Sequence, residues 1–210
     1  MYTKEFWDSV YVRHFKDAPW LLNDWTSVGI AFARRYIDNK FKGKILDYGC
    51  GNASVSRVFI DQGCHVDLAD ISHKMVEWLK VEFPFYNCGV MEVSTPGEII
   101  KKDEKYDFIL TFGVFHHIDP EYWSEFMASF HRLLRFGGVL LIDGWDSTDD
   151  VLKLNGMKAP MTGEESWHIT NLIDYVNPNK FDVLENSVQA VTIRPFKNNR
   201  TVRYYALKKK

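Results

Sequence analysis

Four residues have types and spacing that could do chemistry: Asp47, Gly49, Gly51 and Asp70. In the stretch Lys44 to Ser54, Ile45 and Leu46 read as the apolar run of a buried strand. Gly49 and Gly51 follow, and glycine allows positive φ and close backbone approach. Ser54 stands where it could cap a helix over Val55 to Gln62. A strand, a glycine turn and a helix start together lay a nucleotide-like ligand against backbone N–H groups. The dinucleotide fingerprint wants a third glycine three positions after the second, where this chain has Ser54. Asp47, just upstream of Gly49, would repel a pyrophosphate and would suit a ligand with positive charge and no phosphate. Asp70 lies 21 residues after Gly49, at the end of a second apolar strand read over Cys64 to Ser72. A carboxylate there can accept both ribose hydroxyls, although dinucleotide enzymes place an acid similarly.

S-adenosylmethionine, with its sulfonium and ammonium groups, is a ligand of that description. The segment Leu46-Asp47-Tyr48-Gly49-Cys50-Gly51 resembles the first motif of class I S-adenosylmethionine-dependent methyltransferases, which usually have Gly where Ala53 stands here. Asp70-Ile71-Ser72, followed by a helix over His73 to Glu82 with Ser72 as N-cap, resembles the second motif. Val114-Phe115-His116-His117-Ile118, after a strand over Asp107 to Phe112, looks like the fourth motif of the small-molecule branch. Leu133 to Gly138 resembles the family's next connection, with Phe136 in place of the common Pro.

The resemblance implies an α/β fold: a Rossmann-like doubly wound sheet of about seven strands, the last antiparallel, with helices on both faces. It implies that Asp47, Gly49, Cys50 and Gly51 hold the methionine part of the cofactor and Asp70 the ribose. Ile71 and Met75 would pack on the adenine, Met75 having plain core as its alternative, and Phe112 and Val114 would line the methyl-donor side. The expected reaction is methyl transfer to an O, N or S atom of a small molecule by in-line displacement. The alternatives are an NAD-type oxidoreductase, a cofactor-binding module without catalysis, and a protein methyltransferase.

His116 is the catalytic candidate, because histidine titrates near neutral pH and can take an acceptor's proton. Alignment alone, worth up to roughly 7–11 kcal/mol in favourable systems, is the competing account. His117 sits where the family very often has His across unrelated substrates, which implies a structural role. Thr111-Phe112-Gly113-Val114 lacks the Asn/Asp-Pro-Pro-Tyr/Phe pattern of many nitrogen-methylating enzymes, and no Pro-Cys dipeptide is present, so DNA methylation is disfavoured.

These residues must be positioned by the rest of the 210-residue chain, read as one domain: an N-terminal helical cap over 1–42, a cofactor-binding core over 43–143, and a substrate-side loop, helix and closing strands over 144–210. Phe6, Trp7, Val10, Tyr11 and Phe15 recur near helical spacing, and a second helix is read over Thr26 to Asp38. These helices either pack on the sheet edge or form a lid, with Tyr11 at the cofactor. Further strands are expected over Phe85 to Val93, Val139 to Ile142, Phe181 to Thr192 and Thr201 to Leu207. A helix is read to Arg135, then a turn at Phe136-Gly137-Gly138. Asp143 to Trp167 reads as a long loop, His168 to Val176 as a helix, and Lys208 to Lys210 as a frayed tail.

Net charge is −2, from 26 basic and 28 acidic residues, which argues against a general nucleic-acid-binding surface. No run approaches the roughly 18 apolar residues of a membrane span. The N-terminal residues lack an apolar signal-peptide core. Three widely spaced cysteines, Cys50, Cys64 and Cys88, suggest neither a disulfide framework nor a metal cluster. The expectation is a reduced, cytoplasmic protein acting on a small molecule, with oligomeric state left open.

Overall fold

The computed structural model describes residues 3–14, 25–84, 88–100, 105–146, 171–193 and 198–210. Seven strands form one sheet: β1 (Lys44–Tyr48), β2 (His65–Asp70), β3 (Cys88–Glu92), β4 (Tyr106–Thr111), β5 (Leu134–Trp145), β6 (Phe181–Ile193) and β7 (Asn198–Lys209). Their order is β3-β2-β1-β4-β5-β7-β6, and the chain reverses direction across the sheet after β3. The pairs among β1 to β5 are parallel, and β7 is antiparallel to both β5 and β6. Among the described residues the α-helices are α1 (Lys4–His14), α2 (Trp25–Ala33), α3 (Arg57–Gln62), α4 (His73–Glu82), α5 (Pro96–Ile100) and α6 (Trp123–Leu133).

Alternation along the strands divides the core in two. Ile45, Leu110 and Leu141 face one side, with Phe32 of α2, Phe59 of α3 and Leu79 of α4. Leu46, Ile109 and Leu140 face the other, with Phe126, Phe130 and Leu133 of α6. Neighbouring strand residues thus bury on opposite faces, as the pleat requires.

Three expectations are corrected. Helix α3 begins at Arg57, because Gly51 and Ala53 stand in the left-handed region at φ +51° and +57° and delay the first helical turn. Ser54 therefore caps nothing; its N–H donates to Asn52 Oδ1 at 3.3 Å. Phe136-Gly137-Gly138 is no free turn: β5 runs through it, with Gly137 at φ +74° and Phe136 87% exposed. Between Tyr106–Leu134 and Phe108–Val139 the pairing slips, and the longer β5 span bulges outward. Lys208 and Lys209 lie in β7, and Lys209 Nζ donates to the carbonyls of His131 (2.7 Å) and Leu134 (2.8 Å).

Most of the long loop after Asp146, with Trp167, lies outside the described residues, as do Pro19-Trp20, Arg194 and Lys197. Of the helix read over His168 to Val176, the structure describes a 3₁₀ turn at Leu172–Tyr175.

Candidate functional site

Parallel pairing brings the carboxyl ends of β1, β2 and β4 to one end of the sheet, where open α/β sheets bind ligands. The turn after β1 is held by its backbone. Gly49 N and Cys50 N both donate to Ala69 O, at 2.7 and 3.1 Å. Gly49 lies at φ +71°, and a Cβ placed there would run into Val114. A Cβ on Gly51 would stand 3.3 Å from the Tyr11 hydroxyl. The turn is therefore walled by Val114 on one side and Tyr11 on the other.

Asp70, at the end of β2, lies against the same turn. Its Oδ2 accepts from Gly51 N and its Oδ1 from Ser72 N, both at 2.9 Å. Burial pushes this carboxyl up to about 6, although both N–H groups pull it down. The Tyr11 phenol hydrogen-bonds the same carboxylate, and burial followed by the charge of Asp70 pushes the phenol well above its usual range. Asp47 lies beneath the turn, 5% exposed, and accepts from Ser56 Oγ at the head of α3. Burial raises it to about 7. Cys50 is half-buried, and burial raises its thiol.

Helix α1 is laid across these ends. Asp8 Oδ1 accepts from Ser72 Oγ (2.6 Å) and Lys74 N (3.0 Å), and Lys4 pairs with Glu92 at the end of β3. Ser72 Oγ in turn accepts from Met75 N at 3.2 Å, the N-cap that its position suggested.

The loop after β4 carries the histidines on a 3₁₀ turn, Phe115–His117. Gly113, at φ +74°, donates its N–H to Asp143 Oδ1 at 2.8 Å. The Trp25 indole donates to Asp143 Oδ2. Trp25 stacks on His116 at 5.6 Å and 29° and meets Trp145 edge-on at 4.8 Å. His116 is 3% exposed, its ring 4.0 Å from that of His117, which Trp7 meets edge-on at 4.8 Å.

The structure thus gathers Asp47, Gly49, Cys50, Gly51, Asp70, Val114 and Tyr11 around one turn, with Ile71 half-buried beside Asp70. Met75, expected against the adenine, is instead 1% exposed in the core, on the inward face of α4 with Val76 and Leu79. Phe112, expected at the methyl-donor side, packs edge-on to Phe32 of α2 and to Tyr204. Sequence reasoning missed Ser56, Asp8, Trp25 and the role of Asp143. Each acts through a partner distant along the chain, apart from Ser56, whose offset of nine residues from Asp47 carries no helical or strand signal.

A family model described as "Methyltransferase domain" matches residues 28–184. No curated protein sequence matches the chain. Among solved structures, one titled "Conversion of a Disulfide Bond into a Thioacetal Group during Echinomycin Biosynthesis" is similar at 15% identity and TM-score 0.71, over 99% of this chain and 93% of that one. The Burkholderia thailandensis 1,6-didemethyltoxoflavin-N1-methyltransferase, bound to its substrate and S-adenosylhomocysteine, is similar at 17% identity and TM-score 0.69, over 100% and 92%. The Synechocystis magnesium protoporphyrin IX methyltransferase with S-adenosylhomocysteine gives 19% and 0.64, over 88% and 81%. The match covers more than half of the sequence, and the chain belongs to the methyltransferase-domain family.

Proposed function

We propose that the chain transfers a methyl group from S-adenosylmethionine to an O, N or S atom of a small molecule, and that the turn after β1 is where the cofactor lies. The observation that carries this is Asp70: a buried carboxylate at the end of β2, answered by Gly51 N, Ser72 N and a phenol. Those neutral donors leave its negative charge uncompensated, and a vicinal diol is a matching pair of further donors. Gly49, Cys50 and Gly51 would hold the methionine part along the backbone, over the buried Asp47. Tyr11 and Ile71 would flank the nucleoside, and Val114 would wall the donor side. Bound there, S-adenosylmethionine supplies an electrophilic methyl carbon.

The chain's own task is then placement and, for some acceptors, proton removal. His116 is the residue of the β4 loop suited to take a proton, and its packing between Trp25 and Trp145 fixes the ring plane. Phe112, partly buried behind Gly113, would line the donor side, and the buried Met75 would support the start of α4. The small-molecule reading is supported by the acceptors named for the toxoflavin and protoporphyrin enzymes. The balanced charge supports a site that avoids nucleic acid. Among the described residues no helix is long and apolar enough to cross a membrane, and the three cysteines are free, which suits a reducing, cytoplasmic setting. We read 1–210 as one catalytic domain, with residues 1–42 as its cap.

Titration calorimetry with S-adenosylhomocysteine tests the site. One-to-one binding, weakened by roughly a hundredfold in Asp70→Ala, is expected; wild-type affinity in that variant would overturn the ribose role. His116→Gln should lower turnover and flatten the pH–rate profile without moving S-adenosylhomocysteine affinity.

A further inference from the structure

Asp143 is fully buried near the end of β5, one position beyond Ile142, which pairs with Thr111, the last residue of β4. That register sets its side chain beside the start of the β4 loop. Both of its oxygens are used: Gly113 N donates to Oδ1 and the Trp25 indole to Oδ2. The two donors belong to different parts of the fold, and the bonds lead to the site in two directions. Gly113 precedes Val114, which packs against Gly49 in the cofactor turn. Trp25 opens α2 and stacks on His116.

We propose that Asp143 is the positioning residue of the active site, which through Gly113 sets the Val114 wall of the cofactor pocket and through Trp25 sets the plane of His116. This rests on the reading of the β4 loop as the donor-side wall. The choice of an acid follows from the partners. Both are N–H donors, so the site needs two acceptors on one side chain. A carboxylate has them, whereas asparagine offers one acceptor and turns an N–H₂ toward the other donor. Burial pushes the carboxyl up to about 7, with the two donors opposing, as expected of an acid held without a cation.

The test compares Asp143→Ala, Asp143→Asn and Trp25→Phe. Each is titrated with S-adenosylhomocysteine, and amide hydrogen exchange is followed over residues 112–117 and over β1 to β3. Asp143→Ala should weaken S-adenosylhomocysteine by about tenfold or more, as for a lost charge-assisted hydrogen bond, and should speed exchange in the β4 loop alone. Asp143→Asn should fall between Asp143→Ala and wild type. Trp25→Phe, which keeps the Gly113 bond, should stay within about threefold of wild type. Wild-type affinity in both Asp143 variants would overturn the proposal, as would faster exchange spread evenly over the sheet. If Asp143→Ala does not fold, equal affinities for Asp143→Asn and Trp25→Phe would overturn it. If wild type fails to bind S-adenosylhomocysteine, the cofactor reading fails instead, and loop exchange alone judges the Asp143 tie.

Discussion

Two groups of acids on this sheet are answered in different ways. Away from the site, acids meet cations: Asp67 in the middle of β2 takes Lys44 Nζ at 3.3 Å, with His65 at 3.2 Å and the Tyr106 hydroxyl at 2.8 Å. Asp107 takes Arg135 at 2.7 Å. At the carboxyl ends, Asp47, Asp70 and Asp143 are as deeply buried as Asp67 but are held by a hydroxyl, backbone N–H groups and an indole. Burial raises all three, to about 7, 6 and 7. A carboxylate already paired with lysine has little left to offer a ligand. One held by neutral dipoles keeps its charge available, which is what a sulfonium, an ammonium or a diol can use. Asp67 and Asp70 stand three positions apart along β2, yet one is held by a cation and the other by neutral donors.

The comparison can be broken at either end. The largest effect should come from Asp67→Ala, which leaves Lys44 in a mostly buried place without its carboxylate. Chemical denaturation should show a loss of about 3 kcal/mol or more, with S-adenosylhomocysteine affinity of the folded protein unchanged. Loss of affinity at full stability would erase the distinction.

Asp70→Ala should do the reverse. Two charge-assisted bonds to ribose hydroxyls are worth roughly a hundredfold in affinity by calorimetry, with stability kept or raised. Next comes pH. A ligand that donates hydroxyls selects the ionised carboxylate, so with Asp70 titrating near 6, affinity should be about tenfold weaker at pH 5 than at pH 7. Binding at pH 6 should release protons, and equal binding enthalpies in two buffers of different ionisation heat would contradict this. The linked stability term has the opposite sense. In the free protein these raised carboxyls contribute most below about pH 4, where folded and unfolded forms are both protonated. That contribution falls away as pH rises through 6 to 7.

The smallest effect is at Ala53, a buried non-glycine residue at φ +57° where the family has Gly. Ala53→Gly relieves about 1 kcal/mol of left-handed strain and loses a buried methyl of about 0.8 kcal/mol, so the melting temperature should barely move.

Local signals in the sequence carried the first half of the fold. The apolar runs at Ile45-Leu46 and Val66 to Ala69 are strands, and Ser72 caps α4 as its type and place suggest. The candidate site was legible where its geometry rests on residue type at a strand end, at Asp47, Gly49 and Asp70. It was illegible where a side chain works across the sheet. Nothing near Asp143 in the chain announces Gly113 or Trp25, 30 and 118 residues away. β5 was read too short because glycines suggested a turn, whereas the antiparallel neighbour β7 carries pairing from Val139 to Trp145. Lysines at residues 208–209 suggested fraying, but alternation along β7 turns Leu207 into the core and Lys209 onto carbonyls at the C-terminal end of α6.

The place of β7 also bears on how the protein is made. Residues 198–209 are inserted between β5 and β6, both of which leave the ribosome earlier. Until those twelve residues emerge, β5 presents the buried edge of a parallel sheet to solvent, and β6 has no partner within the sheet. β7 therefore locks the sheet from its interior, and a nascent chain halted before residue 198 would hold the turn after β1 and Asp70 on a sheet still open at β5.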